Sequence, residues 1–597
     1  MSRELGAQNI HWKLEDLYDN LDRLEEDIRK ADAQADAFSE NYKGRVSSLE
    51  APALADALAE FERILDRIGR VSTYAYLNWC THTDLPERGA LFQKTREATT
   101  QIHQKILFFE IEWVHVDENR ADRLLKEERL SPYRHYLENQ RLMKDHVLSE
   151  PEEKILSEKS ITGSGAWSRF FEETLGATRF SFRGQELTAQ EVLSNLYETD
   201  RQLRRDAAMA LTEGLQSRLR ELTFTFNIIL ADKASDDRLR RFSSWLSSRN
   251  LSNEISDESV SALIEAVTGR YDLVARFYNL KRKLLGLDEL HDYDRYAPLE
   301  QVRKTFKWDQ ARDIVLDAYE AFEPQIAAIA RQFFDSQWID APVRSGKRGG
   351  AFSHSAVPSA HPYIMLNYTG NIRDIQTLAH ELGHGVHQYL SREQGLLQCR
   401  PPLTMAETAS VFGEMLVFER LYEMETSPET RLAMLASKID DTMATVFRQI
   451  TMNLFEDSIH TTRRTAGELS SEKFGELWLK SQNEMFQGSV SLGDHYKIWW
   501  SYIPHFIEAP GYVYAYAFGD LLVLALYARY RAEGRPFVGK YLDLLREGGS
   551  DWPHVLIGKL GVDLNDSSFW QQGLSAIERL IDQAEELADF KGLRLEA

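Results

Sequence analysis

Asp374-Ile-Gln-Thr-Leu-Ala-His-Glu-Leu-Gly-His-Gly-Val-His-Gln-Tyr-Leu390 is the stretch on which the reading of this chain turns. Its apolar residues recur at three- and four-residue steps, the period of an amphipathic helix. Residues four apart lie one turn along the same helix face, so His380 and His384 can reach one metal ion. Glu381 is rotated by about 100° from His380, toward the water that such an ion would hold. This is the start of a zinc hydrolase site. The plainer alternative is a surface helix carrying two unconnected histidines, and only the rest of the chain can decide between them.

Most of that rest reads as helix. From Leu49 to Lys105 apolar residues recur with helical spacing, among them Leu54, Leu58, Phe61, Ile64 and Ile68. Segments 116–160, 190–232, 254–288, 308–335 and 428–485 behave in the same way. Strand signals are few. Thr178–Arg183, a Gly184-Gln185 turn and Glu186-Leu187 read as a short hairpin. Thr188-Ala-Gln-Glu191 then reads as a capping box that opens a helix. Gly349–Ser353 and His361–Tyr368 form a second strand region just before the motif helix. A strand there, around Ile364–Asn367, can pair its main chain with an extended peptide; an ordinary strand beside the site is equally compatible. The basic loop Arg344–Gly350 lacks the order of a phosphate-binding loop and reads as flexible. A division is expected near residue 195, giving an N-terminal helical region (1–195) and a catalytic region (196–597). No Pro/Gly/Ser linker marks it, so the two parts are expected to pack as one body.

Composition narrows the function. The chain has 597 residues, 43% hydrophobic and 27% charged, which fits a globular protein. A formal net charge of −22 disfavours both nucleic acid and an anionic membrane surface as partners. Two cysteines, Cys80 and Cys399, supply no disulfide framework and favour a reducing compartment. The N-terminus has no basic region followed by an apolar stretch, and the longest strongly apolar run, Leu521–Ala528, is too short to span a bilayer. A cytoplasmic protein is the expectation.

A catalytic zinc wants three protein ligands and one open position. After Pro401-Pro402 the chain restarts as an amphipathic pattern over Leu403–Leu421, read as one helix. Glu407 lies far enough beyond His384 for an antiparallel return and is the expected third ligand. Glu414, two turns along the same face, is better placed to steady a ligand imidazole. Solvated carboxylates are the alternative for both, weakened by the small and apolar residues around them. The segment from Trp499 to Gly519 offers His505 followed by Tyr512, Tyr514 and Tyr516. An imidazole or a phenol can stabilise the oxyanion of amide hydrolysis, although aromatic clusters more often pack.

Taken together, these patches resemble the oligoendopeptidase F family, bacterial relatives of the thimet and neurolysin-type oligopeptidases. The resemblance rests on His380–His384, on Glu407–Glu414, on Pro504–Tyr516, and on Pro362–Gly370 before the motif helix. It covers roughly residues 195–590. It implies a mainly α, elongated multi-helix body with a deep substrate channel and a small β-sheet beside the zinc helix. It implies one zinc per chain held by His380, His384 and Glu407, with Glu381 as general base. His505 and Tyr512 match groups that contact the substrate or the oxyanion, and Tyr516 matches a further tyrosine lining the site. The tyrosine spacing departs from the family pattern, with Gly519 where thimet-type enzymes carry a tyrosine, so Tyr514 stays open as the oxyanion contact. Asn367 belongs to the expected peptide-binding strand. The expected substrates are short oligopeptides. A zinc carboxypeptidase competes and would need a cation such as Arg344, Lys347, Arg348 or Arg373 to grip a terminal carboxylate. A non-catalytic peptide-binding protein also competes, and the intact Glu381 speaks against it. Cobalt or manganese would suit the same ligands.

Overall fold

Pro86 opens the second of two helices within the first long apolar pattern. The pattern from Leu49 to Lys105 forms two helices, Ala51–Cys80 and Pro86–Ile106. Proline removes a donor and clashes inside a helix, yet suits its first position. The first helix buries Leu54, Leu58, Phe61 and Ile64 along one face, each worth about 1.5–3 kcal/mol of transfer free energy.

The computed structural model describes residues 5–160, 162–299 and 304–590. They group into two compact units that the chain builds in alternation. One comprises Met1–Lys144, Arg303–Glu423 and Arg529–Val562; the other comprises Asp145–Val302, Met424–Ala528 and Asp563–Ala597. The division anticipated near residue 195 falls inside the second unit, between the helix Ala189–Ser194 and the turn Asn195–Tyr197. Among the described residues, no helix is long and apolar enough to cross a membrane.

In the first unit the helices Leu21–Tyr42, Ala51–Cys80 and Pro86–Ile106 share a core that includes Ala31, Phe38, Leu58, Phe61 and Ile102. The same unit holds a three-stranded sheet. Tyr363–Tyr368 is its middle strand, parallel to Ile339–Pro342 and antiparallel to Phe352–His354. The strand Ile339–Pro342 is buried along its whole length, so it has no polar-apolar alternation to announce it. The basic loop beside it departs from expectation. Lys347 Nζ is buried and donates to Asp340 Oδ1 (2.6 Å) and to the Asp340 and Pro342 carbonyls, while Arg344 pairs with the same carboxylate at 3.0 Å. A buried acid with two cations fastens this loop to the sheet.

In the second unit the predicted hairpin forms as Phe180–Phe182 and Gln185–Leu187, and the capping box Thr188/Glu191 closes as expected. Helices Arg201–Ser217, Leu219–Leu239, Arg448–Ala466 and Ser471–Phe486 surround an aromatic core with Phe226, Phe455, Trp478 and Trp500. The chain is therefore mainly α, with its larger sheet beside the motif helix.

Candidate active site

The motif helix runs from Ile372 to Ser391. Asn371 accepts from the Asp374 amide, and the Asp374 carboxylate accepts from the amides of Thr369, Gly370 and Asn371. These bonds satisfy donors that a helix start leaves unpaired and fix the entry from the middle strand. Two glycines let the helix sink into its surroundings. A Cβ on Gly385 would lie 2.6 Å from Phe333 Cζ, and one on Gly383 would lie 2.4 Å from the Ala409 oxygen.

The segment that meets Gly383 is not one continuous helix. It forms Leu403–Ala406, breaks over Glu407–Ala409, and resumes as Ser410–Met424. The Thr408 hydroxyl turns back to the Met405 carbonyl, and Tyr541 donates to the Thr408 carbonyl at 2.9 Å. Those side-chain bonds compete with the helical ladder and were invisible in the apolar pattern. The break turns Glu407 toward the motif helix. Its Oε2 lies 3.4 Å from His380 Nε2 and 3.4 Å from His384 Nε2. Ser410 Oγ donates to the same oxygen at 2.6 Å. Glu414 Oε2 stands 3.5 Å from His380 Nδ1, and His384 hydrogen-bonds the main chain of Ala406. Each imidazole thus has an orienting group besides Glu407.

The donor set fits a tetrahedral ion. Bonds of about 2.0–2.1 Å at the tetrahedral angle place ligand atoms about 3.3 Å apart, close to both Glu407 separations. His380, His384 and Glu407 each offer one donor atom within 4.8 Å of the others. Burial alone would lower His380; Glu414, then the charges of Glu407 and Glu381, reverse this and raise its pKa to about 9. The carboxylates make this a place for positive charge. Burial lowers the pKa of His384 to about 4, against the pull of Glu407. Glu381 is buried, which raises its carboxyl to about 7 against the charge of His380. It also hydrogen-bonds the main chain of Ser353.

Two expectations about peptide contact change. The strand Tyr363–Tyr368 has a neighbour on each side, and Ile364 and Met365 are paired to both, so their main chain is not free to pair with a peptide. Phe352–His354 is the edge strand on the Glu381 side. Asn367 Nδ2 donates to the Arg348 and Gly350 carbonyls and braces that strand's approach. The cations considered for a terminal carboxylate are largely engaged as well: Arg344 and Lys347 with Asp340, Arg348 with the Tyr76 hydroxyl.

In the second unit, His505 Nε2 and the Tyr516 hydroxyl are 3.2 Å apart, and the rings of His505 and Tyr512 stack with centroids 6.0 Å apart. Burial, then the charge of Arg448, lowers the His505 pKa. All three side chains remain partly accessible. Tyr514 differs. It is fully buried, donating to Asn250 Oδ1 at 2.8 Å and accepting from Asn253 Nδ2 at 2.9 Å. Its hydroxyl ties the interior together, and substrate contact by Tyr514 is set aside. Ser410 and the strand Ile339–Pro342 have no place in the sequence reading, whereas the edge strand overlaps the strand expected at Gly349–Ser353. Gly383 inside the motif was the one available signal, because a glycine within a helix pattern can mark a close backbone approach.

A model of peptidase family M3 matches residues 194–576, and one of oligopeptidase F matches residues 112–180. The chain is 27% identical over 593 residues to oligopeptidase PepF of Bacillus subtilis, covering 98% of this chain and 88% of that one. A solved Chlamydophila abortus structure is similar with a TM-score of 0.87 at 25% identity, covering 97% of this chain and 98% of the other. The crystal structure of oligoendopeptidase-F from Enterococcus faecium is similar in fold, with a TM-score of 0.71 at 23% identity over 95% and 99% of the two chains.

Proposed function

The chain belongs to peptidase family M3, and on that premise we propose that it is a zinc metalloendopeptidase acting on short oligopeptides. Membership makes it a metallo-oligopeptidase; the metal, the residue roles and the cut within the peptide are the proposal. The observation that carries it is Glu407 Oε2 at 3.4 Å from both His380 Nε2 and His384 Nε2, with Glu381 one residue away. Two imidazoles and one carboxylate are a donor set that zinc favours.

Zinc, when bound, supplies a Lewis acid that polarises the scissile carbonyl and brings the pKa of water toward about 7. Glu381 takes the proton of the attacking water and returns it to the leaving amine. Its raised pKa, about 7 through burial, suits a group that must both accept and release a proton near neutral pH. The edge strand Phe352–His354 receives the peptide main chain as an added strand. His505 and Tyr512 are assigned to the oxyanion as N–H and O–H donors, and Tyr516 holds His505 through its hydroxyl. Asn367 acts through the loop it braces. A cytoplasmic setting belongs to the same reading, supported by two free, buried cysteines.

Cleavage of a peptide blocked at both ends, followed by mass spectrometry with and without a chelator, tests this. The expected result is internal cleavage that the chelator abolishes and zinc restores. Glu381→Gln should retain zinc and lose about 10²–10⁴-fold in kcat. Cleavage that survives the chelator, or full turnover in Glu381→Gln, would refute the assignment.

A further inference from the structure

A cavity of about 310 Å³ adjoins His384, walled by Ser353–Pro358, the motif helix and the Cys399–Pro401 segment. Its charge is one-sided. Arg392 and Arg400 line it beside the imidazoles of His354 and His387, which burial keeps neutral, and no aspartate or glutamate does among the described residues. For a chain of net charge −22, a cationic cavity against the reacting centre is a local reversal.

Both arginines are supported by neutral groups. The Arg392 guanidinium lies over the Tyr389 ring, 3.8 Å from its centroid, a contact that leaves the edge of the fork open. Arg400 Nη2 donates to the Ala356 carbonyl at 3.2 Å, which uses one of five N–H donors. The chain carrying Arg400 is firmly seated. Gly549 N donates to the Gln398 carbonyl at 2.8 Å, and a Cβ on Gly549 would lie 2.3 Å from the Arg400 oxygen. His354 Nδ1 accepts from the Ala356 amide at 3.0 Å, so a neutral His354 carries its proton on Nε2 as a further donor. A second cavity of about 500 Å³ shares Val357 and Arg400 with the first and is also free of carboxylates. Arg400 therefore stands where the two meet.

We propose that this cavity is a substrate subsite for a carboxylate of the peptide, with Arg400 as its principal partner and Arg392 and His354 Nε2 beside it. The inference rests on the metallo-oligopeptidase reading. A guanidinium fork matches the two oxygens of a carboxylate, and a concave cationic wall of low polarisability concentrates anions. The carboxylate comes either from an acidic side chain near the cut bond or from a free C-terminus; both present the same group to the cavity.

The test is binding of peptides to the zinc-loaded Glu381→Gln protein by calorimetry, where turnover does not interfere. The set starts from one neutral peptide rich in glutamine, acetylated and amidated. Glu replaces Gln at each position in turn, and a further member carries a free C-terminal acid. At least one acidic member should bind about tenfold tighter than the neutral parent. The Glu scan identifies a side-chain source, and the acid/amide pair identifies a terminal one. Adding Arg400→Gln should bring that ratio close to one, and Arg400→Glu should shift preference to a Lys-bearing peptide. Circular dichroism checks that each variant is folded, and Arg392→Gln carries the same comparison should Arg400→Gln not fold. Equal binding of all members, or an acid preference that survives both arginine substitutions, would overturn the subsite. Absence of chelator-sensitive cleavage of the neutral peptide by the wild type would instead overturn the proposed function, with the binding ratios read as before.

Discussion

Gly383 lies against the main chain of Ala409: a Cβ there would stand 2.4 Å from the Ala409 oxygen and 2.6 Å from Ser410 Cα. The missing side chain is what lets the Glu407 break approach the helix that carries both histidines. Gly383→Ala should push the two segments apart. Overpacking costs about 1–3 kcal/mol, partly offset by about 1 kcal/mol of better helix propensity. Zinc affinity should fall more steeply than stability, because Glu407 moves away from two imidazoles at once. Parallel thermal melts and zinc competition against a chromophoric chelator read the two effects. Unchanged zinc affinity would mean that this contact does not set the site.

Glu414 touches a ligand without being one, 3.5 Å from His380 Nδ1. Glu414→Ala should weaken zinc binding by about 10–100-fold, the usual scale for a group that orients an imidazole. Glu407→Ala removes a ligand and should weaken it further. Equal losses in the two variants would make Glu414 a ligand in its own right.

How far the sequence carries can be judged from these same residues. The 3.6-residue period puts His380 and His384 on one helix face, as the structure has them, because local geometry alone relates positions one turn apart. It runs one helix through Glu407, whereas the structure breaks the helix at Glu407–Ala409, since the Leu403–Leu421 pattern gives no sign of the Thr408 and Tyr541 bonds that compete with the ladder. Alternation located the strand before the motif, yet strand order is a long-range property. Only pairing with the unexpected strand Ile339–Pro342 makes Tyr363–Tyr368 internal and leaves Phe352–His354 at the edge. Tyr512, Tyr514 and Tyr516 look alike in sequence. Their difference arises from Asn250 and Asn253, more than 250 positions away along the chain.

That difference can be measured. Tyr514→Phe leaves Asn250 and Asn253 with unmet buried bonds and should cost about 1–3 kcal/mol of stability. Tyr512→Phe removes an accessible hydroxyl and should lower kcat by about 10²–10³-fold with little change in melting temperature. Kinetics and denaturant unfolding on both variants separate the roles. A large kcat loss in a fully stable Tyr514→Phe protein would return Tyr514 to the oxyanion.

Glu456 gives the chain a pH dependence apart from the metal ligands. Its carboxyl is buried and accepts from the Gly511 amide at 2.9 Å, just before Tyr512. Burial pushes its pKa up to about 8, although the Gly511 bond and the charge of Arg249 pull it down. An unfolded glutamic acid titrates near 4.3. Between about pH 4.3 and about 8 the folded protein keeps a proton that the unfolded chain has released, so stability falls as pH rises. Glu456 contributes fully below that window, loses up to about 1.4 kcal/mol per pH unit within it, and has lost its contribution above it. Glu456→Gln cannot ionise and keeps an oxygen for the Gly511 amide. Its stability relative to the parent should therefore increase from pH 5 to pH 9. Urea midpoints of both proteins at pH 5, 7 and 9 provide the comparison, and a difference that stays constant with pH would show that Glu456 does not hold its proton when folded.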